Sequence, residues 1–190
     1  MIKPIVKNEG CTVVFGPCRL SYTHLFAKYS MTGGAGAADG KYMTNVLIPA
    51  GEKETVKALQ DAIEAAKRKG ITAKWQGKEP RELALPLHDG DDKDGDEVYA
   101  GHYYINAKCA TRPGVVDMNR APIMDEDEIY SGVWAYVSVT FYPYSTNGKR
   151  GVAAGLNNVM KYKDGERLGG RASAENDFGN ILAGSTDDNL

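Results

Sequence analysis

Side chains alternate most regularly between apolar and polar or aromatic types across residues 130–144, which read Y-S-G-V-W-A-Y-V-S-V-T-F-Y-P-Y. Because successive side chains of a β-strand point to opposite faces, this stretch predicts a strand with two different faces. A core-forming face carries Val133, Ala135, Val137, Val139 and Phe141. The opposite face carries Trp134, Tyr136, Ser138, Thr140 and Tyr142. A solvated face normally carries Lys, Glu or Thr, so these aromatics predict a flat surface for bases, sugars or another protein.

A hairpin is predicted directly after this strand. The dipeptide Asn147-Gly148 suits the positive φ values of a type I′ turn, so the next strand should run back antiparallel from Lys149. Glycines along one side of that returning strand would permit the close approach of another backbone or a ligand. The cations on or beside the hairpin are candidates for holding phosphate: Lys149, Arg150, Lys161, Lys163 and Arg167.

One amphipathic helix is predicted across residues 53–69. Val56, Leu59, Ile63 and Ala66 recur at the spacing of one helical face, and the opposite face carries Lys and Glu. Gly70 stands at the expected end of the helix.

The remaining periodic segments are short and alternate as strands do. Residues 12–29 predict two short strands or one interrupted strand around Gly16-Pro17. Further strands are predicted at 42–49, 83–87, 98–110 and 115–118, with a flexible loop at 31–41 and an acidic turn at 125–128. The fold class is therefore mainly β with one helix.

Composition places the chain among ordinary globular proteins. It has 190 residues, of which 42% are hydrophobic and 25% charged, and we expect one main domain. Neither a signal peptide nor a run approaching the roughly 20 apolar residues of a membrane span is present, so we expect a soluble cytoplasmic protein with no membrane partner. Cys11, Cys18 and Cys109 lack metal or disulfide spacing and are expected to be reduced packing residues.

Charge is unevenly distributed along the chain. Residues 172–190 carry four acids and no Lys or Arg, and residues 89–97 carry six acids and one lysine. From the overall charge of −2, removing segments of −4 and −5 leaves +7 for the remainder. A basic body with separate acidic segments is typical of a protein that binds a polyanion and whose acidic tail competes with that polyanion for the basic surface. Acidic ends also serve simply to keep a protein soluble.

Catalytic motifs are not found. The histidines His24, His88 and His102 lack metal-ligand spacing, and the chain has no G-x-S-x-G elbow, P-loop or E-x-K tripeptide. In the acidic run, a calcium loop would place Gly90 and Gly101 at its first and twelfth positions, where carboxylates are needed. The glycines of residues 31–41 do not have dinucleotide-loop spacing. These features favour a binding protein that is not an enzyme and needs no cofactor or metal.

Several blocks of the sequence resemble a family of tailed-phage single-stranded-DNA-binding proteins with an OB fold. These blocks are C-R-L-S-Y-T-H-L-F (18–26), the helix from Lys53, D-G-D-D (89–92), G-H-Y-Y-I-N-A-K (101–108), E-I-Y-S-G (128–132), N-G-K-R-G-V-A-A-G-L-N-N-V (147–159) and D-G-E-R-L-G-G-R-A-S-A-E-N-D-F (164–178). Together they span nearly the whole chain, in order.

The resemblance implies a five-stranded, partly open Greek-key barrel with insertions, which coats single-stranded DNA during phage replication, recombination or repair. It implies an OB-fold domain at 1–171 and a disordered acidic tail at 172–190 that contacts phage or host replication proteins. The tail ends D-D-N-L, without the terminal aromatic of some lytic-phage helix-destabilising proteins. The candidate DNA-binding residues are Arg19, Tyr22, Tyr103, Trp134, Tyr136, Tyr142, Lys149, Arg150, Lys161, Lys163 and Arg167.

Two questions stay open at the level of sequence. The runner-up hypothesis is a virion or interaction protein, or a homodimer, in which the aromatic face is a protein interface. The second question is whether this face lies beneath the helix, which would leave Tyr103, Tyr104 or Tyr22 to stack on DNA.

Overall fold

The computed structural model describes residues 1–30, 32–36, 39–93 and 96–168. Within them the strands are β1 (Ile5–Lys7), β2 (Thr12–Ser30), β3 (Gly34–Ala35), β4 (Lys41–Pro49), β5 (Leu87–Asp89), β6 (His102–Cys109), β7 (Gly114–Val116), β8 (Trp134–Thr146) and β9 (Lys149–Lys163). The helix α1 spans Lys53–Ala73, and a turn of 3-10 helix spans Glu126–Glu128. The tail predicted at 172–190 lies outside the described residues.

Five of the strands close into a barrel. β2 pairs antiparallel with β4, β4 with β6, β9 with β8, and β8 with β2. A short parallel pairing of β6 with β9, at Ala107 opposite Ala154, closes the ring. This strand order confirms the OB fold that the resemblance implied.

β2 is the interrupted strand that the sequence predicted. Its first half pairs with β8 and its second half with β4, with a shift of register between Phe15 and Cys18. Gly16 lies at this shift with a φ of 136°, and a Cβ there would be 2.8 Å from the carbonyl oxygen of Ala135. Glycine therefore lets two strands of the barrel approach closely where β2 bends.

The barrel interior is filled by the predicted core face of β8. Val133, Ala135, Val137, Val139 and Phe141 are all at most 1% exposed. The apolar face of α1, including Leu59 and Ile63, joins the same cluster. Burial of these apolar side chains, at roughly 25 cal/mol per Å² of apolar surface, is the main force holding the barrel closed.

The helix continues past its predicted end at Gly70 to Ala73. Gly70 is buried, and a Cβ there would lie 2.6 Å from the ring of Trp75 and 2.8 Å from Cβ of Pro143. The glycine is therefore required by packing of the helix against Trp75 and β8, and it does not end the helix.

Two predicted strands begin later than expected. The segment 83–87 contributes only an isolated bridge at Ala84, and β5 begins at Leu87. β6 begins at His102 because residues 97–101 form turns, in which the Tyr99 amide donates to the Asp96 carbonyl at 3.0 Å and the His102 amide donates to the Tyr99 carbonyl at 3.0 Å. The hairpin prediction is confirmed, since Asn147 and Gly148 have φ values of 50° and 75°. No helix among the described residues is both long and apolar enough to span a membrane.

Candidate nucleic-acid interface

The outward side chains of β8, together with Tyr162 of β9, form a surface that we call the platform. Tyr142 and Tyr162 are 44% and 42% exposed, while Trp134 and Tyr136 are half-buried. The side chains between them point into the barrel, as strand alternation requires. The platform thus lies on the outer barrel wall, and helix α1 does not bury it.

One end of the platform combines aromatic rings with a cation. The rings of Tyr136 and Tyr162 meet edge to face, with centroids 5.6 Å apart. Lys163 Nζ lies 5.7 Å from the Trp134 ring and 5.9 Å from the Tyr162 ring. These distances are within the range of cation–π attraction. A positive charge therefore stands beside the aromatic surface.

A polar band crosses the middle of the platform. Asn157 Nδ2 donates hydrogen bonds to the hydroxyl oxygens of Thr140 (2.9 Å) and Ser138 (3.2 Å). The hydroxyls of Thr140 and Thr12 are also within hydrogen-bond distance, at 2.8 Å. Beyond this band the ring of Tyr142 packs against Gly155, where a Cβ would lie 3.2 Å from its Cε1. Glycine on the returning strand thus gives an aromatic ring room to lie against the sheet.

Residues 164–168, the crossing segment, run over the Trp134 end of the platform. A Cβ on Gly165 would lie 3.0 Å from Nε1 of Trp134. The Leu168 amide donates to the Ser131 carbonyl at 2.7 Å. Arg19 Nη2 donates to the carbonyl oxygen of Glu166 at 2.6 Å. Arg19, a predicted phosphate ligand, is therefore engaged in holding this segment in place.

Lys161 is likewise engaged within the protein. Its side chain is only 16% exposed and forms ion pairs with Asp164 at 3.0 Å and Glu128 at 3.5 Å. Partial burial lowers the pKa of Lys161, but its hydrogen bonds to the two carboxylates outweigh burial and raise the pKa above its ordinary value. For Asp164 the hydrogen bond from Lys161 is the main cause of a lowered pKa.

The other predicted cations are exposed. Lys149 and Arg150 lie at the hairpin, Lys163 lies beside Trp134, and the guanidinium of Arg167 lies 4.2 Å from the Tyr130 ring. None of the four forms a salt bridge with another described residue. These side chains are available to an anionic ligand in a way that Arg19 and Lys161 are not.

Two predicted stacking residues lie on strands other than β8 and β9. Tyr22 is 54% exposed at an irregular point of β2, with Lys93 Nζ 5.4 Å from its ring. It lines a cavity of about 460 Å³ together with Ser131 and Leu168, and so lies beside the crossing segment. Tyr103 lines a different, smaller cavity of about 210 Å³ beside Ile63 of the helix, together with Leu87.

Residues 11–190 match the family described as Enterobacter phage Enc34, ssDNA-binding protein. The chain belongs to this family. A relative, the putative protein p50 of Acyrthosiphon pisum secondary endosymbiont phage 1, is 35% identical over 169 residues, which is 83% of this chain and 87% of the relative.

Solved structures of phage proteins share the fold of this family member. The single-stranded DNA-binding protein from bacteriophage Enc34, in complex with ssDNA, superposes with a TM-score of 0.71 at 25% identity, covering 87% of this chain and 97% of the other. Bacteriophage T7 gp2.5, a single-stranded DNA binding protein, has a TM-score of 0.59 at 18% identity and covers 94% and 98%. The T7 likeness concerns the fold alone.

In this family member, a bulge interrupts the alternation of inward and outward side chains along β9. The β8–β9 register shifts between Ser138 and Val139, so that Val159 is buried where simple alternation predicts Asn158. A bulge of this kind inserts one residue and reverses which side chains face inward. It places Tyr162 on the platform, although the sequence analysis did not include it, and turns Lys161 toward its carboxylate partners. Consecutive Asn157-Asn158 within an otherwise alternating strand was the feature that marked the bulge.

Within the described part of the chain, no cluster of three or more His, Cys, Asp or Glu side chains is placed to hold a metal. His24 stacks on Tyr29 at 4.2 Å, and burial lowers the pKa of its imidazole. Burial raises the pKa of the Cys18 thiol, which disfavours the reactive thiolate.

Proposed function

We propose that this protein binds single-stranded DNA without sequence preference. It coats strands exposed during phage DNA replication, recombination or repair, in the host cell cytoplasm. The observation that carries the proposal is the half-exposed aromatic platform on the outer wall of an OB-fold barrel. Support comes from the similar Enc34 protein, which was solved in complex with ssDNA.

Bases stack on the platform in this proposal. Trp134, Tyr136, Tyr142 and Tyr162 offer ring surface, and stacking is worth roughly 1–3 kcal/mol per base. Every base has a π-face, so stacking does not distinguish one sequence from another. Lys149, Arg150, Lys163 and Arg167 contact phosphates, which carry no sequence information. Arg19 and Lys161, whose side chains are bonded within the protein, contribute no phosphate contact in this proposal. Tyr22 and Tyr103 are candidates only for a longer DNA path.

The length of the platform limits how much DNA one protein covers. Eight residues separate Trp134 from Tyr142 on β8, or about 26 Å at roughly 3.3 Å per residue. A stacked strand rises about 3.4 Å per nucleotide, so at most about eight nucleotides span this distance. This agrees with site sizes of about 4–16 nucleotides per OB fold.

The proposed activity is binding without turnover. Coating a strand needs no bond to be made or broken, and we infer that the protein is not an enzyme. Protein partners are part of the proposal only through the acidic residues 172–190, whose negative charge suits a basic surface on a replication protein.

Tryptophan fluorescence tests the proposal, because the chain has two tryptophans in different environments. Trp134 is half-buried on the platform and Trp75 is 2% exposed in the core. Adding oligo-dT should quench wild-type emission because a base stacks on Trp134. The matched control is Trp134→Phe, which keeps a stacking ring and should bind oligo-dT with unquenched emission from Trp75.

Two other outcomes would contradict the proposal. Unchanged wild-type emission, while fluorescence anisotropy reports binding, would remove Trp134 from the site. A salt-insensitive oligomer that causes no electrophoretic shift of single-stranded oligonucleotides would favour the protein-interface alternative.

A further inference from the structure

A cleft lies where the platform ends at the β8–β9 hairpin. It has a volume of about 690 Å³, and the residues that line it include Arg81, Glu82, Ala84, Tyr144, Lys149 and Arg150. This volume is within the roughly 300–1,000 Å³ of small-molecule sites. Neither Arg81 nor Tyr144 is among the candidate DNA-binding residues of the sequence.

The wall opposite the hairpin is held by backbone pairing. The Ala84 amide donates to the Arg150 carbonyl at 3.1 Å, and the Val152 amide donates to the Ala84 carbonyl at 2.9 Å. These hydrogen bonds fix Ala84 beside the start of β9. This part of the cleft wall is therefore in place before any ligand arrives, which lowers the entropic cost of binding.

Tyr144 is positioned as the next aromatic of the platform. It lies two residues beyond Tyr142, hence on the same side of β8, about 7 Å further along. Its ring packs against Gly151, where a Cβ would lie 3.0 Å from Cε1 of Tyr144 and would collide with the Ala84 carbonyl. This repeats the arrangement of Tyr142 on Gly155.

The backbone beneath Tyr144 is anchored in the core. Trp75 Nε1 donates to the Tyr144 carbonyl oxygen at 3.1 Å, and Trp75 is itself 2% exposed. A ring supported in this way loses little freedom when a base stacks on it.

The charge of the cleft favours an anion. Arg81, Lys149 and Arg150 are exposed cations, against the single carboxylate of Glu82. None of these cations forms a salt bridge with any residue that the structure describes. An aromatic ring beside three unpaired cations matches the two parts of a nucleotide, its base and its phosphate.

We propose that this cleft is the terminal nucleotide subsite of the DNA path, with a base stacked on Tyr144 and its phosphate held by Arg81. The inference rests on the proposed function, because it extends the same DNA path beyond Tyr142. Arg81 reaches this subsite from the segment between α1 and β5, so a part of the chain outside the barrel contributes to binding.

Fluorescence anisotropy with oligo-dT tests this subsite in three variants. Arg81→Ala should weaken binding about fivefold at 0.1 M salt and reduce the log–log salt slope by about 0.7, because one phosphate contact is lost. Tyr144→Leu should weaken binding about fivefold or more, whereas Tyr144→Phe should bind as wild type because it keeps the stacking ring. The matched control is Arg68→Ala, which removes an exposed arginine from α1 and should have no effect.

The outcomes separate this inference from the proposed function. In one outcome the wild type binds oligo-dT, and Arg81→Ala and Tyr144→Leu bind it with the same affinity as Arg68→Ala. The subsite is then refuted, while DNA binding by the platform stands. If wild type does not bind oligo-dT, both are refuted. Because Arg81 is exposed, Arg81→Ala keeps the test decisive even if Tyr144→Leu unfolds.

Discussion

Lys163 and Lys161 lie two residues apart on β9 and provide a matched test of which cations contact DNA. Lys163 is exposed, with its Nζ 5.7 Å from the Trp134 ring. Lys161 is 16% exposed and paired with Glu128 and Asp164. We expect Lys163→Ala to weaken DNA binding and Lys161→Ala to leave it nearly unchanged.

The size of the effect follows from counterion release. Each phosphate contact with a single strand contributes about 0.7 to the slope of log affinity against log salt. Five exposed cations, namely Lys149, Arg150, Lys163, Arg167 and Arg81, predict a wild-type slope of about −3.5. Lys163→Ala should reduce the slope to about −2.8. The affinity for DNA should then fall about fivefold, or ~1 kcal/mol, at 0.1 M salt, and this difference should vanish near 1 M salt.

Lys161→Ala should affect stability instead. It leaves the carboxylates of Glu128 and Asp164 without their lysine partner, but those side chains are 50% and 73% exposed. Solvent screening limits such pairs to about 0.2–1 kcal/mol each, so losing both should lower the unfolding temperature by about 1–8 °C. Lys163→Ala should unfold close to the wild-type temperature, because Lys163 pairs with no described carboxylate and loses only exposed cation–π contacts with Trp134 and Tyr162.

The assay measures the affinity for labelled oligo-dT by fluorescence anisotropy at several salt concentrations between roughly 0.05 and 0.5 M. Over this range the screening of charges by salt increases strongly. Thermal unfolding of the same samples is followed by circular dichroism. Equal salt slopes for wild type and Lys163→Ala would refute the assignment of Lys163 to phosphate. A reduced slope for Lys161→Ala would show that its ion pairs open when DNA binds, contrary to the reasoning above.

Two further predictions concern packing and protonation. Gly70→Ala should lower the free energy of unfolding by up to about 2 kcal/mol in chemical denaturation, because its Cβ would lie 2.6 Å from the Trp75 ring and overpacking exceeds the gain in helix propensity. The control is Gly51→Ala, which has open space around its Cβ and should cost almost nothing. Equal stability of the two variants would contradict this account. Asp164 should titrate below its ordinary pKa of 3.8 in carboxyl NMR, and Lys161→Ala should return that pKa toward 3.8. The pKa of Asp164 is lower in the folded protein than in the unfolded chain. The stabilisation from its contact with Lys161 is therefore complete above pH 3.8 and is lost as the pH falls through the folded-state pKa.

Local chemistry made much of the fold predictable. The strand at β8, the helix and the Asn147-Gly148 turn depend on alternation, helical spacing and backbone φ preferences, which act over a few residues. The five core positions of β8 followed from period-two alternation alone. The aromatic platform was visible for the same reason, since it is the other half of that alternation.

Tertiary contacts decided which of the predicted site residues are free. Arg19 is engaged by Glu166, which lies 147 residues away in the chain, and no local pattern specifies such a pairing. Gly70 appears as a helix end until Trp75 is seen to occupy the space of its missing side chain.

The sequence by itself determined the strands, the helix, the hairpin and the existence of an aromatic face. The tertiary structure alone decided that this face is outward, that a bulge near Asn157 adds Tyr162 and withdraws Lys161, and that Arg81 joins Tyr144 at the hairpin. The physical reason is that side-chain alternation is a local property of the backbone, whereas exposure and charge pairing depend on which distant segments pack together.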